Sequence, residues 1–411
     1  MASVDLFSLG KIFPSDFLKP DEQPRCEPVE LKLVMDDNGL VHLSESAPES
    51  AMYGERYWYR SGINKSMQDE LKDVVDSIFK VYKAKPGAVF LDIASNDGTL
   101  LINVPEEMIT VGIDPVGGEI KAEATKHADD IIQDFFSEKI YKESKYGYKK
   151  VSICTIISMF YDVLNPKLFL HELNSIMEND GLLVMQLSYT PLMLQQLEFS
   201  NICHEHLFYY NLLNIESLLN ETRFKLMDVQ LNNTNAGSFR LYIMKEKGNE
   251  TKFGTQTHRD VCEFRKRSLR HYEARMSYND SAKWFGFFDK VNDLKERTVD
   301  FINDEVSKGK IIYGYGASTK FNTVLQYFGI NNKMLVSIAD RSLAKHGLRT
   351  VGTNIPIVSE EVMRAAKPDY LLVGPAHFIS EFMERERPLL KSGTKFIVTM
   401  PSFRIITKDD L

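Results

Sequence analysis

The chain has 411 residues, of which 43% are hydrophobic and 26% are charged, a composition typical of a folded globular protein with more than one core. Its net charge of -7 leaves no surplus of lysine and arginine to neutralise a phosphate backbone, which argues against nucleic acid as a partner. The 4 cysteines form no Cys-X-X-Cys pair, the N-terminus lacks the segments of a secretory signal, and no apolar run reaches the ~18 residues of a membrane span. We therefore expect a cytoplasmic protein that does not bind membranes.

The first 68 residues predict a small β-rich domain. Two strand-like segments, 30–34 and 39–43, flank a turn at Asp36-Asp37-Asn38, and proline and acidic residues punctuate the rest.

Residues 69–250 predict a doubly wound α/β domain. A helical stretch through Val81 is followed by alternating strands and helices. This alternation is typical of a parallel sheet with helices on both faces. The predicted strands are 89–93, 110–113, 131–132, 151–157 and 182–187.

Residues 251–411 predict a helical connector followed by a second Rossmann-like α/β domain. Apolar residues recur at helical spacing between about 254 and 308. The strands expected after the connector are 310–315, 335–339, 370–373 and 395–399. The expected architecture is therefore three consecutive parts: β-rich, Rossmann-like and Rossmann-like.

The segment from Leu91 to Leu101 runs from a buried strand through small residues into an expected helix. Small residues let the backbone approach a ligand, and the N–H groups of a helix start would complete a polar cradle. Asp114, at the end of the next strand, stands where a carboxylate holds a ribose diol. The three spaced glycines of a dinucleotide site are absent, and the turn instead resembles that of class I methyltransferases, which implies S-adenosylmethionine as cofactor.

The cofactor residues predicted from this pattern lie at the ends of four consecutive strands. Asp134 would accept from the adenine amino group and Phe135 would stack on the ring, although a solvated loop acid fits the first position equally well. Asp92 and Asp97 could instead be structural turn acids, and Met159 could belong to the core. The predicted set is Asp92, Ala94, Ser95, Asn96, Gly98, Asp114, Pro115, Asp134, Phe135, Ser158 and Met159.

The densest chemical cluster is Cys203-His204-Glu205-His206, followed by three aromatic residues. A neutral histidine can abstract a proton near physiological pH, and a neighbouring carboxylate can orient it. Two alternatives remain open, a His-X-His metal pair and a purely structural role.

Nearly the whole chain resembles the nucleotide-sugar C-methyltransferases, which methylate a carbon beside the ketone of a 4-keto sugar carried on a nucleoside diphosphate. The matching motifs, in order, are Tyr57-Trp58-Tyr59-Arg60-Ser61-Gly62, the turn 91–101, His204-Glu205-His206-Leu207, Asn235-Ala236-Gly237-Ser238-Phe239-Arg240, Gly314-Tyr315-Gly316-Ala317-Ser318-Thr319-Lys320 and the run 340–345.

The resemblance implies a role for each matching position. His206 resembles the base that removes the α-proton, Glu205 its catalytic neighbour, and Tyr59 a tyrosine that supports the site. The glycine-containing turn before Lys320 would face the diphosphate or the neighbouring sugar. The implied substrate residues are Tyr57, Tyr209, Asn235, Ser238, Arg240, Gly316, Ala317, Ser318, Lys320, Asn322, Thr323 and Arg341.

The chain departs from the family pattern at its N-terminal cysteines. The resemblance implies two Cys-X-X-Cys pairs holding zinc, but Met35 and Asn38 replace the second pair and the first is absent. We therefore expect no metal in this part of the chain. Cys203 replaces a tyrosine and Ala236 a glycine, so the substrate itself is left open.

Three other functions compete with a carbon methyltransferase. An O- or N-methyltransferase could act on a similar sugar nucleotide, with His206 deprotonating a hydroxyl. A binding protein could keep the cofactor cradle and sense a nucleotide sugar, and Gly314-Tyr315-Gly316 could open a nicotinamide site, although Thr319 stands where its final glycine belongs. We expect a monomer or a homodimer.

Overall fold

A computed structural model describes residues 3–53 and 57–411, and their contacts group the chain into two compact units. The two-segment unit comprises Tyr53–Pro191 and Leu207–Tyr278. The three-segment unit comprises Met1–Met52, Leu192–His206 and Asn279–Leu411.

The two-segment unit is built on a seven-stranded sheet. Five neighbouring strands are parallel, and Ser238–Lys245 runs antiparallel to both of its neighbours. The strand order across the sheet is Phe224–Asn232, Ser238–Lys245, Met177–Ser188, Val151–Ile157, Val89–Ile93, Ile109–Ile113 and Asp130–Ile132.

Helices cover this sheet, and the short strand Phe208–Tyr209 also belongs to the unit. Helix Lys65–Val81 packs its Val74 and Ile78 against sheet residues such as Phe90 and Ile153 in one buried cluster. The other α-helices are Gly118–Ala124, Glu138–Glu143, Pro166–Ile176, Leu212–Glu221 and Gln256–Met276, and the single-turn 3₁₀ helices are Ser61–Ile63, Leu101–Asn103, Phe160–Asp162, Thr234–Ala236 and Glu250–Lys252.

The three-segment unit contains two main sheets. Strands Val4–Ile12, Val29–Met35 and Val41–Leu43 pair antiparallel. The second sheet is parallel except for its last strand, in the order Ile357–Val358, Ile338–Ala339, Ile312–Tyr315, Tyr370–Val373, Lys395–Val398 and Arg404–Ile406.

The remaining elements of this unit are short, except for one long helix. Strand Phe17–Leu18 pairs with Arg349–Thr350. The helices are Glu49–Met52, Phe199–Asn201, Ser281–Ser307, Thr319–Phe328, Leu343–Lys345, Glu360–Ala366, Ala376–Phe378, Ile379–Arg385, Arg387–Lys391 and Lys408–Asp410, while Thr190–Gln195 contains the boundary between the two units.

The N-terminal strands share a unit with the C-terminal α/β residues because they pack on one another. Phe7 stacks on Phe288 with ring centroids 4.3 Å apart, and the Asn322 side-chain amide donates to the Asp16 carbonyl at 2.9 Å. This grouping differs from the predicted consecutive domains 1–68, 69–250 and 251–411, and it also separates residues 192–206 from the sheet that precedes them.

The Rossmann-like α/β class predicted from the sequence is confirmed, with one local correction. The turn after Val89–Ile93 does not lead directly into an α-helix, because only the 3₁₀ turn Leu101–Asn103 follows. Val104 adopts an extended conformation before Pro105, which disfavours helical geometry in the residue preceding it. The cradle at this turn is therefore formed by loop backbone.

None of the helices in the described ranges 3–53 and 57–411 combines the length and apolarity that a membrane crossing requires.

Candidate active site

The carboxyl ends of two neighbouring strands in the two-segment unit carry several left-handed residues. After Val89–Ile93, Ala94 has φ 62° and Asn96 has φ 49°, and after Val151–Ile157, Ser158 has φ 56°. Such conformations cost free energy in non-glycine residues and concentrate at functional sites. The strand order also reverses between these two strands, and open α/β sheets bind ligands at such a point.

Asp114 connects this turn to the end of the next strand. One carboxylate oxygen accepts from the backbone N–H of Asn96 and the other from that of Val116, both at 2.8 Å. Burial raises the pKa of Asp114, and these two hydrogen bonds oppose the rise. Because each carboxylate oxygen can accept more than one hydrogen bond, the geometry suits the predicted contact with ribose hydroxyls.

The predicted motif 57–62 lies against the same turn. The Asn96 side chain accepts from the Ser61 backbone N–H at 3.0 Å and donates to the Tyr59 carbonyl at 3.1 Å, while Asp97 accepts from the Gly62 backbone N–H at 2.9 Å. Asp97 therefore holds the motif in place. Burial of its hydroxyl raises the pKa of Tyr59 to about 12, so this tyrosine is protonated near neutral pH.

Ser95 and Asp92 differ in how their polar atoms are satisfied. The Ser95 hydroxyl is buried and has no hydrogen-bond partner among the described residues, as expected of a group awaiting a polar ligand. Asp92 instead accepts from the Thr155 hydroxyl at 2.6 Å inside the sheet. The turn therefore fits a polar cofactor, and Asp92 has a structural contact of its own.

The other predicted cofactor residues lie along the same strand ends. Asp134 accepts from the backbone N–H of Phe135, whose ring is 46% exposed. The Asn235 side-chain amide donates to the Ser158 hydroxyl at 3.3 Å. Pro115 and Met159 lie in loops and are half-buried.

In the three-segment unit, His206 is buried and its tautomer is determined by a hydrogen bond. Its Nδ1 lies 2.7 Å from the main-chain carbonyl oxygen of Asn201. A carbonyl can only accept, so Nδ1 carries the hydrogen and Nε2 carries the lone pair. Burial, together with the Lys320 charge, lowers the pKa of His206 well below its ordinary value, so the ring is neutral.

The Lys320 charge acts on this histidine and also on Glu205. Lys320 Nζ donates to the Asn201 side-chain oxygen at 2.5 Å. Burial raises the pKa of Glu205 to about 7, against the opposing effects of Lys320, the Cys203 thiol and Arg25. Glu205 is thus balanced between its neutral and charged forms near neutral pH.

The first histidine of the run, His204, has a separate contact. It is 1% exposed, and its Nε2 lies 3.1 Å from the Val29 carbonyl oxygen, which anchors the run to an N-terminal strand. This contact favours the structural alternative for His204.

A possible metal-binding group exists elsewhere in the chain. Within the described ranges, the one set of three side chains with suitable spacing is Asp228, His258 and Cys262, and the Arg265 guanidinium donates to both Asp228 and Cys262. A bound guanidinium disfavours a second cation there.

The predicted turn 314–320 also has ordered geometry. Gly316 has φ 85°, and a Cβ there would lie 2.8 Å from Pro375. Ser318 caps helix Thr319–Phe328 by accepting from the Phe321 N–H at 3.1 Å, and the Ala317 N–H donates to Asp340 at 2.7 Å. The turn thus brings Lys320 and a helix start together.

Several residues predicted to bind substrate have other contacts. The Arg240 guanidinium is 4% exposed and donates hydrogen bonds to Gln186, Asp73 and Glu70. These protein contacts explain its burial without a ligand. Arg341 pairs with Glu381 at 3.3 Å. The Ser238 hydroxyl donates to the Thr234 carbonyl, and the Asn322 amide donates to the Asp16 carbonyl. Thr323 and Tyr209 are buried, whereas Tyr57 is half-buried and lies beside Tyr53.

Sequence reasoning missed Asn201, Glu198 and Arg25. Asn201 joins Lys320 to His206, burial raises the pKa of Glu198 while Lys320 opposes the rise, and Arg25 acts on Glu205. No pattern in the sequence links Asn201 to Lys320.

Comparisons with known proteins identify two domain families in this chain. Residues 63–229 match a methyltransferase domain, and residues 233–401 match a C-methyltransferase C-terminal domain. The chain is 22% identical over 371 residues to the C-methyltransferase NovU of Streptomyces niveus, covering 90% of this chain and 86% of that protein.

Solved structures resemble part of the chain. The plantazolicin methyltransferase BpumL in complex with SAH aligns at 13% identity and a TM-score of 0.34, covering 43% of this chain and 82% of that one. Magnesium protoporphyrin IX methyltransferase ChlM from Synechocystis PCC 6803 aligns at 13% identity and a TM-score of 0.34, covering 46% of this chain and 90% of that one.

Proposed function

We propose that this chain, which matches a methyltransferase domain at residues 63–229 and a C-methyltransferase C-terminal domain at residues 233–401, is an S-adenosylmethionine-dependent enzyme that methylates a carbon of a nucleoside-diphosphate-linked 4-keto sugar, with His206 as the base. The observation that carries the proposal is the buried neutral imidazole of His206, whose Nδ1–H is held by a carbonyl and whose Nε2 bears the lone pair. The sugar class rests on the family resemblance of the His-Glu-His run and of the turn before Lys320.

The chemistry requires a base and a group that stabilises negative charge. A C–H bond next to a ketone becomes acidic because the electron pair left behind spreads onto the carbonyl oxygen. His206 Nε2 takes the proton, which leaves the enolate carbon as the nucleophile. S-adenosylmethionine, held by Asp114 and the turn after Val89–Ile93, would supply the electrophilic methyl group for the new bond to this carbon, with its sulfur as the leaving group.

Lys320 and the turn before it suit the anionic part of such a substrate. An ammonium group at the start of helix Thr319–Phe328 would attract a diphosphate. Neutralisation of the Lys320 charge by a diphosphate would raise the pKa of His206, since that charge is one cause of its lowering. Substrate binding would thereby increase the basicity of the imidazole.

The test is methyl transfer to a panel of nucleotide-linked 4-keto sugars, followed by mass spectrometry for one added methyl group. We expect turnover with at least one of them. His206→Ala should lower turnover by roughly 10²–10⁴-fold, the usual cost of losing a general base, while leaving S-adenosylhomocysteine affinity within about twofold. The matched control is His171→Ala, because His171 is exposed on helix Pro166–Ile176.

Near-normal turnover of His206→Ala would make the imidazole structural. A carbon reaction also predicts that substrate deuterium beside the ketone exchanges with water in the absence of the methyl donor. Transfer of a methyl group to the sugar without such exchange would favour an O- or N-methyltransferase.

A further inference from the structure

Residues 198–206 place several polar groups around the Lys320 ammonium. Glu198 and Glu205 both have pKa values that respond to the Lys320 charge, and Glu198 is buried while Glu205 is half-buried. His206 responds to the same charge, as does His377, which follows strand Tyr370–Val373. The Lys320 charge therefore acts on the pKa values of four titratable groups, which lie on two segments of the three-segment unit.

Asn201 is the residue that contacts both Lys320 and His206. It is 2% exposed and ends the 3₁₀ turn Phe199–Asn201. Its side-chain oxygen accepts from Lys320 Nζ, and its main-chain oxygen accepts from His206 Nδ1. These two oxygens belong to one residue, so the conformation of Asn201 sets the separation between the ammonium and the imidazole.

The 3₁₀ turn that carries Asn201 is itself well anchored. Phe199 is fully buried and stacks on Phe328 with centroids 5.2 Å apart, which attaches the turn to the helix that bears Lys320. The His206 backbone N–H donates to the Cys203 carbonyl at 3.2 Å, which closes the loop on the other side. Asn201 therefore has little freedom to move away from either partner.

We propose that Asn201 is a positioning residue for catalysis, which fixes the Lys320 ammonium and the His206 imidazole relative to each other through two separate oxygens. The inference rests on the proposed function, in which Lys320 binds the anionic part of the substrate and His206 takes the proton. An anion bound at Lys320 is then placed at a defined distance from the base, and the charge that it neutralises is the one acting on His206.

Substitutions at Asn201 separate the contribution of the side chain from that of the main chain. Asn201→Ala removes the oxygen that holds Lys320 but leaves the carbonyl that holds His206. Asn201→Asp keeps an acceptor for Lys320 in nearly the same shape and adds a negative charge beside the ammonium. The matched control is Asn292→Ala, which removes an asparagine oxygen that accepts from the Tyr327 hydroxyl in the same unit.

The experiment measures kcat and KM for the full-length variants and follows His206 protonation by NMR of ¹³C-labelled histidine without substrate. We expect Asn201→Ala to lower kcat at least tenfold. Asn201→Asp should retain more kcat than Asn201→Ala, raise KM for the anionic substrate at least tenfold, and increase the proton affinity of His206 about tenfold. The control should change none of these values by more than about twofold.

The idea is overturned if Asn201→Ala keeps kcat and KM within about twofold of the parent, or if Asn201→Asp leaves the His206 titration unchanged. The titration uses no substrate, so it remains valid if the sugar assay fails. A shifted titration without turnover on any keto sugar would support the positioning role of Asn201 and reject the proposed substrate. If the alanine variant does not fold, Asn201→Asp tests the same points.

Discussion

At the scale of single residues, Asp114 combines a structural contact with a predicted binding contact. Its two oxygens join the turn at Asn96 to the loop at Val116, so the carboxylate is already oriented before a ligand arrives. Preorganised charged acceptors bind hydroxyl groups more strongly than neutral or mobile ones.

We therefore expect Asp114→Ala to weaken S-adenosylhomocysteine binding at least tenfold by calorimetry, since a charge-assisted contact is worth roughly 1.5–3 kcal/mol. Asp129→Asn is the matched control, because Asp129 also accepts from a backbone N–H, that of Thr110, one loop away. Unchanged affinity in Asp114→Ala would remove Asp114 from the cofactor site.

Asp92 leads to a pH-dependent prediction. Burial raises its pKa to about 7, from an ordinary value of 3.8. Between these two pKa values Asp92 is charged in the unfolded chain but protonated in the folded protein. Folding therefore requires uptake of a proton, and the stability that the protonated carboxyl contributes is lost as the pH rises from about 4 to 7. Asp92→Asn keeps an acceptor for Thr155 without the charge.

The expected result is that Asp92→Asn raises Tm relative to the parent protein more at pH 8 than at pH 5, by a difference equivalent to about 1 kcal/mol or more. Thr155→Val should lower Tm more at pH 8 than at pH 5, since it removes the hydroxyl that stabilises the carboxylate. Equal gains for Asp92→Asn at both pH values would show that this carboxyl does not titrate in the range.

At the scale of elements, one carboxylate joins two helices and the residue that follows strand Met177–Ser188 in the two-segment unit. Glu273, on helix Gln256–Met276, accepts from the backbone N–H groups of Leu212 and Leu213 at 2.8 and 3.1 Å and from the Tyr189 hydroxyl at 2.7 Å. A negative charge at the start of helix Leu212–Glu221 also complements its dipole.

Glu273→Ala should lower the free energy of unfolding by about 2 kcal/mol or more in urea titrations, since it leaves buried donors unpaired. The control Glu216→Ala breaks an ion pair with Arg270 between the same helices. Because Arg270 is 40% exposed, we expect that loss to stay below about 1 kcal/mol. Similar losses in both variants would contradict the capping role of Glu273.

The strands that the sequence predicts best are those buried on both faces. Val89–Ile93 and Val151–Ile157 lie where expected, because parallel strands form unbroken apolar runs. Val4–Ile12 and Phe224–Asn232 were not predicted, since register shifts in both disturb the alternation that marks a strand.

At the scale of the whole molecule, the α/β class and the cofactor follow from local patterns, but the grouping of segments does not. The strand Val89–Ile93, the turn after it and the acid Asp114 occur within about 25 residues, so a short segment of sequence is enough to predict the cofactor site. Asn201 and Lys320 are 119 residues apart, and their contact depends on packing that no local pattern encodes. The same reason explains why the unit boundaries differ from the predicted domains.

The interleaved segments of the three-segment unit have a consequence for synthesis in the cell. Phe7 packs on Phe288 of helix Ser281–Ser307, which leaves the ribosome roughly 280 residues after it. At about 5–20 residues per second, the apolar face of the first strand waits on the order of 15–55 seconds for its partner. During that interval Leu6, Phe7 and Leu9, which are buried in the folded chain, lack this packing partner, so the three-segment unit completes its folding only after helix Ser281–Ser307 has been made, later than the sheet of the other unit.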